Sequence, residues 1–184
     1  MRHKPILAVV FLAAMLAISA VAQDEPAEEM PPMGPPEQME EIAFLEGVWD
    51  VAMIWQNDKD TSVWDSSTAV CTYKPILDGS AMYLTFESIM MDMPFNGVLI
   101  QGYDREKKEW QAMWVDNMGA RMALYTGEDR MVVSVEDMWQ GQAFHSRMTT
   151  LNETPTKFDW TMDISFDGGQ NWGIVGKATY TKRK

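Results

Sequence analysis

From residue 48 onward, apolar and polar positions alternate with a period of two in one short segment after another. No long stretch shows the 3.6-residue period of a helix. The run 93–119, MPFNGVLIQGYDREKKEWQAMWVDNMG, is the clearest case. Phe95, Val98, Leu99 and Ile100 make an apolar run, and residues 104–109 make a charged reversal. Trp110, Ala112 and Trp114 then alternate with Gln111 and Val115. This is the pattern of an antiparallel hairpin. Extended along the chain, it predicts strands over 48–56, 63–73, 81–90, 95–103, 110–117, 121–126, 131–136, 143–151, 157–166 and 174–182. Residues 39–45 read as one helical turn, which Glu46-Gly47 ends.

The reversals carry turn residues: Asn57-Asp58-Lys59-Asp60, Leu77-Asp78-Gly79-Ser80, Gly127-Glu128-Asp129, Gln140-Gly141, Asn152-Glu153-Thr154-Pro155 and Asp167-Gly168-Gly169. Short strands at even spacing predict an antiparallel meander. A sheet this large in one domain either closes or splits into a sandwich. Successive hairpins favour an all-β, antiparallel up-and-down β-barrel of about 8–10 strands over the sandwich, because closure removes exposed edges.

Ser165-Phe166-Asp167-Gly168-Gly169-Gln170-Asn171-Trp172 resembles the Asp-box, S-x-D-x-G-x-x-W, of sialidase-type hairpins. There the Asp caps backbone N–H groups, the Gly takes a positive φ, and the Trp packs beneath. It reads as a structural turn and implies no glycosidase activity. On the strand before it, Phe158, Trp160, Met162, Ile164 and Phe166 alternate with Asp159, Thr161, Asp163, Ser165 and Asp167. The acidic face reads as a solvated exterior and not as a cation site. Asp163 and Asp167 lie on the order of 13 Å apart at roughly 3.3 Å per residue, too far to clasp one ion.

The N-terminus changes the setting. Arg2, His3 and Lys4 precede an apolar run over 6–18 and an Ala20-Val21-Ala22 cleavage site. The expectation is a signal peptide over 1–22, cleaved before Gln23, and a periplasmic or extracellular protein. The run is short for a bilayer span of roughly 20 residues, so an uncleaved anchor is the weaker reading. No second span follows, so no stable membrane insertion is expected after cleavage. Residues 23–40, rich in Pro, acid and Met, read as a disordered tether, and 41–184 as one barrel domain. Met30, Met33 and Met39 in the tether, and Met90, Met91 and Met93 beside Asp92, present thioethers suited to Cu(I). With 17 Met in the chain, ordinary packing is the simpler reading.

A net charge of −12 argues against nucleic acid and anionic lipid as partners. The tail Lys182-Arg183-Lys184 reads as a solvated end. Cys71 is the sole cysteine, so no internal disulfide forms, and its place in a strand predicts a buried, inert thiol. Beyond the signal, His145 is the one histidine. With one such histidine and one cysteine, no Ser-His-Asp or Cys-His arrangement can be argued, and a His/Cys metal site is excluded by count. No glycine-rich phosphate loop is present. No cofactor, metal or catalytic residue is expected, and nothing in the pattern specifies an oligomeric state.

Binding is better motivated. A closed barrel can enclose one small ligand, and this chain has eight Trp and 17 Met to line it. The candidate ligand-binding residues are Tyr103, Trp110, Trp114, Asp116, Met118, Arg121 and His145. Asp116 shares the apolar face of Trp110, Trp114 and Met118, so it needs a partner. Arg121, across a turn, is the expected one. A buried Asp116–Arg121 pair that supports the fold is favoured over a ligand-orienting role.

Several segments together resemble the family catalogued as domain of unknown function 1579. They are Phe44-Leu45-Glu46-Gly47-Val48-Trp49, Leu77-Asp78-Gly79, Met93-Pro94-Phe95-Asn96-Gly97, Gly102-Tyr103-Asp104 and Trp114-Val115-Asp116-Asn117-Met118-Gly119. The resemblance covers about 41–184. It implies a lipocalin- or calycin-like β-barrel and no catalytic residue, since the family has no established activity. The Phe-Leu-x-Gly-x-Trp opening is also similar to the first strand of lipocalins and of nitrobindin-type haem barrels. By that resemblance Trp49 closes one end of the barrel. Haem would need an axial ligand, and a solvent-facing or hydrogen-bonded His145 is the more ordinary reading. The combined expectation is an exported barrel that binds a small hydrophobic or amphipathic ligand in its lumen. Its rivals are a lumen-based hydrolase or isomerase, and a structural envelope protein whose filled barrel takes no ligand.

Overall fold

A computed structural model describes residues 33–184, apart from 58, 91 and 140. The expected signal peptide, most of the expected tether and Met91 lie outside the described residues. Ten strands form one closed antiparallel barrel in which each strand pairs with its sequence neighbours and the last pairs with the first. They are β1 (Gly47–Gln56), β2 (Trp64–Ile76), β3 (Ala81–Met90), β4 (Met93–Asp104), β5 (Glu109–Asp116), β6 (Ala123–Asp129), β7 (Val132–Trp139), β8 (Gln142–Thr154), β9 (Lys157–Ser165) and β10 (Gly173–Lys182). All ten expected strands are present, displaced by a few residues at their ends. The period-2 burial follows from alternation: along β1, Trp49, Val51 and Met53 are buried while Asp50, Ala52 and Ile54 are exposed.

The turns use the chemistry their residues suggest. In the β4–β5 reversal, Asp104 Oδ1 accepts the backbone N–H of Glu106 and Lys107, each at 3.0 Å. In the β9–β10 hairpin, Asp167 Oδ1 accepts the N–H of Gln170 (3.1 Å) and Asn171 (2.9 Å). Gly168 and Gly169 there take φ of 72° and 82°, and Trp172 Nε1 donates to the Gly169 carbonyl at 2.9 Å. This is the expected Asp-box geometry. Hydrogen bonds from Asn171, by side chain and backbone, and then from Ser165 lower the Asp167 carboxyl from 3.8 to about 2. A depressed carboxylate contributes stability above its unfolded value and loses it as pH falls through the folded one. Protection factors of the Gln170 and Asn171 amides, relative to intrinsic exchange at each pH, should therefore hold at pH 5 and fall as pH drops from 3.8 toward about 2. Unchanged protection over that window would contradict the capping role.

The helical turn differs from expectation. It is a 3-10 helix over Glu37–Leu45, so it begins inside the segment read as tether. Met39, Ile42 and Leu45 are all buried. They are spaced by three, the repeat of a 3-10 helix, and so form one apolar stripe. That stripe packs into the hydrophobic core beside Trp49. Arg130 pins the helix from outside: its guanidinium donates to Glu41 at 3.1 Å and to both oxygens of Glu153, at 2.8 and 2.5 Å.

Candidate functional site

The two ends of the barrel are unlike. At the end capped by the 3-10 helix, inward side chains are buried: Trp49, Tyr73, Met82, Trp110, Phe158 and Tyr180. Following β1, β5, β7 or β9 away from the helix, inward positions become partly exposed. Phe158 is buried in β9, whereas Trp160, Met162 and Ile164 are only partly so. Trp110 and Ala112 are buried in β5, whereas Trp114 and Asp116 are only partly so. Val133 gives way in the same manner to Val135 and Asp137 in β7. One end is thus filled by buried side chains, and the other, called the mouth below, is lined by partly exposed aromatic rings.

Glycines seat two of the mouth's tryptophans. A Cβ on Gly97 would lie 2.2 Å from the Trp114 ring, and one on Gly176 would lie 2.5 Å from Trp55. Each indole therefore lies flat against a neighbouring strand where no side chain intervenes. Trp55 meets Trp160 edge-on at 5.8 Å between centroids. Trp114 meets Phe86 edge-on at 6.0 Å and packs tilted against Phe95 at 6.4 Å.

Polar groups are set among these rings. Asp116 accepts from Trp114 Nε1 at 2.8 Å and from the backbone N–H of Met118 and Gly119 at 2.9 and 2.8 Å. Arg121 reaches Asp137 at 2.7 Å and donates to the Met138 carbonyl at 2.9 Å. The expected Asp116–Arg121 pair is therefore corrected. Asp116 is saturated by donors of its own turn, and Asp137, brought alongside by β7, takes the guanidinium. Deeper in, Tyr125 and Ser146 approach at 3.5 Å. Burial first, and then the nearby carboxylates Asp137 and Asp116, hold the Tyr125 hydroxyl above its ordinary value against the opposing Ser146 hydrogen bond and Arg121 charge. Ser67, opposite the inward-facing Met53, has a buried hydroxyl with no hydrogen-bond partner.

The seven candidate residues separate. Trp114 and Asp116 meet at the mouth, while Arg121 turns to Asp137. Trp110 and Tyr103 stack edge-on at 5.5 Å, toward the filled end. Met118 lies exposed in the β5–β6 turn. His145 pairs with Glu136 and Ser165, on the face opposite the inward-facing Ser146. Sequence reasoning passed over Trp55, Phe95, Asp137 and Trp160. Alternation marks Trp55, Phe95 and Trp160 as inward, but it cannot say which inward residues lie at the open end.

The acids of β9 lie on the outer face, each with a local partner, but Asp163 is buried and Asp159 only partly exposed, so this face is not the solvated exterior expected. Asp159 accepts from Thr179 at 2.7 Å and Asn152 at 2.8 Å. Asp163 lies 3.7 Å from Arg147, whose guanidinium sits 4.2 Å from the Trp172 ring centroid. Among the described residues, no group of three or more His, Cys, Asp or Glu is arranged to hold a metal ion. Cys71 is buried, and desolvation pushes its thiol up to about 12, so it is a thiol and not a nucleophilic thiolate. A groove of about 780 Å³ on the outside of the barrel is lined largely by short side chains such as Ala52, Thr68, Ser88 and Thr179. It lacks the aromatic surface of the mouth.

The fold has relatives of known structure. The S-type phycobiliprotein lyase CPES of Guillardia theta matches with a TM-score of 0.50 at 12% identity, covering 79% of this chain and 92% of its own. Rv2717c from M. tuberculosis matches with a TM-score of 0.57 at 7% identity, covering 82% and 99%. At such identities the likeness shows the barrel alone. No curated protein matches the chain. The sequence model of a family described as a protein of unknown function (DUF1579) matches residues 35–133. That is more than half of the chain, from just before the 3-10 helix to the start of β7.

Proposed function

Because the chain belongs to the DUF1579 family of proteins of unknown function, its site must speak for itself, and we propose that it binds a small hydrophobic or amphipathic molecule at the open end of the barrel. The observation that carries this is the burial gradient. Inward-facing Trp55, Phe95, Trp114 and Trp160 are packed against the core yet remain partly exposed. Leaving such rings wet forgoes hydrophobic stabilisation of roughly 25 cal/mol per Å², which a ligand recovers by covering them. The Arg121–Asp137 pair supplies polar contacts for the ligand's polar end. The filled half of the lumen leaves no comparable surface deeper in.

Titration of tryptophan fluorescence with 1-anilinonaphthalene-8-sulfonate and with oleate tests the reading. Saturable binding is expected. Trp114→Ala removes one wall, and Gly97→Ala displaces the same ring. Each should weaken binding roughly tenfold, the equivalent of about 1.4 kcal/mol. Leu77→Ala, at an exposed residue of the β2–β3 turn near the capped end, should change nothing. Failure of the folded protein to bind either probe would favour the filled structural barrel. Equal binding by all variants would place the site elsewhere. Export is part of the proposal: protein recovered from the periplasm should have an intact mass beginning at Gln23. Full-length chain confined to the cytoplasm would contradict it.

A further inference from the structure

The methionines of the barrel divide by exposure. Met39, Met53 and Met82 are 6%, 4% and 2% exposed. Met93, Met118, Met122 and Met138 are 56%, 58%, 71% and 52% exposed. The four exposed ones lie where β4 begins, in the β5–β6 connection and near the end of β7, all at the level of the open end, with Met138 on the outward face of β7, opposite inward Asp137. Two braces hold them there. Asn117 accepts from the Asn96 N–H at 2.9 Å and donates to the Pro94 carbonyl at 3.0 Å, so Met93 and Met118 flank one link. Arg121 donates to the Met138 carbonyl at 2.9 Å, so Met122 and Met138 flank the other.

We propose that these four thioethers are a site of reversible oxidation, and that their oxidation gates the mouth. In each event the sulfur lone pair attacks one oxygen of hydrogen peroxide. The S–O bond forms, the O–O bond breaks, and after proton transfer water leaves. Sulfur loses two electrons and the peroxide is reduced. The product sulfoxide is polar, whereas the thioether is apolar, and a methionine sulfoxide reductase reverses the change. Oxidation rates follow access of the oxidant to sulfur, so the mouth reacts while the core stays reduced. Polar sulfoxides at the rim of this end make it a poorer receptor for an apolar guest. This consequence rests on the ligand reading of the mouth; the selective modification does not.

The test combines peptide mass mapping with dye binding after graded hydrogen peroxide treatment. Sulfoxide should accumulate at Met93, Met118, Met122 and Met138 well before Met39, Met53 and Met82, with unfolding still cooperative. Met33, 94% exposed and away from the mouth, reports the fastest free rate. Oxidation should weaken 1-anilinonaphthalene-8-sulfonate binding several-fold, and reductase treatment should restore it. The M93L/M118L/M122L/M138L variant should bind the dye before and after peroxide alike. Oxidation spread evenly over exposed and buried methionines would overturn the site. Selective oxidation with an equal loss of binding in the leucine variant would overturn the gate while leaving the ligand reading intact. No dye binding by the unoxidised protein would overturn the ligand reading and the gate together, with the mapping still deciding the site.

Discussion

Trp49→Ala should cost about 3–5 kcal/mol of folding stability, as large aromatic truncations in a core do. Set against a total of roughly 5–15 kcal/mol for a domain, that is enough to leave much of the protein unfolded at moderate temperature. The side chain is fully buried. Its Nε1–H donates to the Leu45 carbonyl at 2.7 Å, fastening the 3-10 helix to β1. Its ring meets Phe44, Tyr73 and Phe158 at 6.3, 6.4 and 5.1 Å. Lys182 Nζ stands 5.5 Å over the ring and donates to the Phe44 carbonyl at 2.6 Å. Removal therefore leaves a cavity, an unpaired carbonyl and a loosened cap at once. Denaturant unfolding measures the loss. Trp49→Phe, which keeps most of the ring but not the donor, should fall between. A loss below 1 kcal/mol in the alanine variant would show that the cap does not depend on this residue.

Gly127→Ala should be the most damaging conservative change in a strand. A Cβ there would lie 2.1 Å from the Val132 carbonyl oxygen. At Gly97 the obstacle is an indole that swings toward solvent. Here it is the backbone of the neighbouring strand, which has no rotamer to change. The β6–β7 seam is also the thinnest in the barrel, with its register broken between Thr126 and Asp129. Added bulk must push these strands apart. Overpacking of a close-packed site costs typically about 1–3 kcal/mol, and a backbone obstacle belongs at the top of that range. The expected signature is a lower unfolding midpoint together with faster amide exchange along β6 and β7. A midpoint within 0.5 kcal/mol of wild type, the scatter of ordinary surface substitutions, would contradict the close approach.

Much of this was legible along the chain. Strand number and spacing follow from period-2 alternation, because a strand's two faces see different solvents wherever one face is buried. The Asp-box follows from a local list, since every hydrogen bond in it joins residues within a few positions of one another. The closing role of Trp49 came from the resemblance of Phe44-Leu45-Glu46-Gly47-Val48-Trp49, and the packing of that ring beneath the 3-10 helix agrees with it. The helical turn over 39–45 was legible, but its start at Glu37 and the burial of Met39 were not. Its period of three is neither strand nor α-helix, and its flank of Pro and acid resembles a tether.

The candidate site was legible only in part. Trp114 and Asp116 share a short stretch and do meet, while Arg121 turns to another strand. Trp110 shares their face but lies two pairs nearer the filled end, and His145 faces away. The partner of Arg121, Asp137, lies 16 positions along the chain on another strand, so adjacency favoured the wrong carboxylate. The sequence by itself determined the strands and turns, and favoured their closure into a barrel, because these rest on local hydrogen bonding and on a two-residue period. Only the tertiary structure decided which end is filled, which inward rings stay partly exposed, which ions pair and which methionines lie at the open end. Those depend on where closure places residues far apart in sequence, and local alternation carries no information about that.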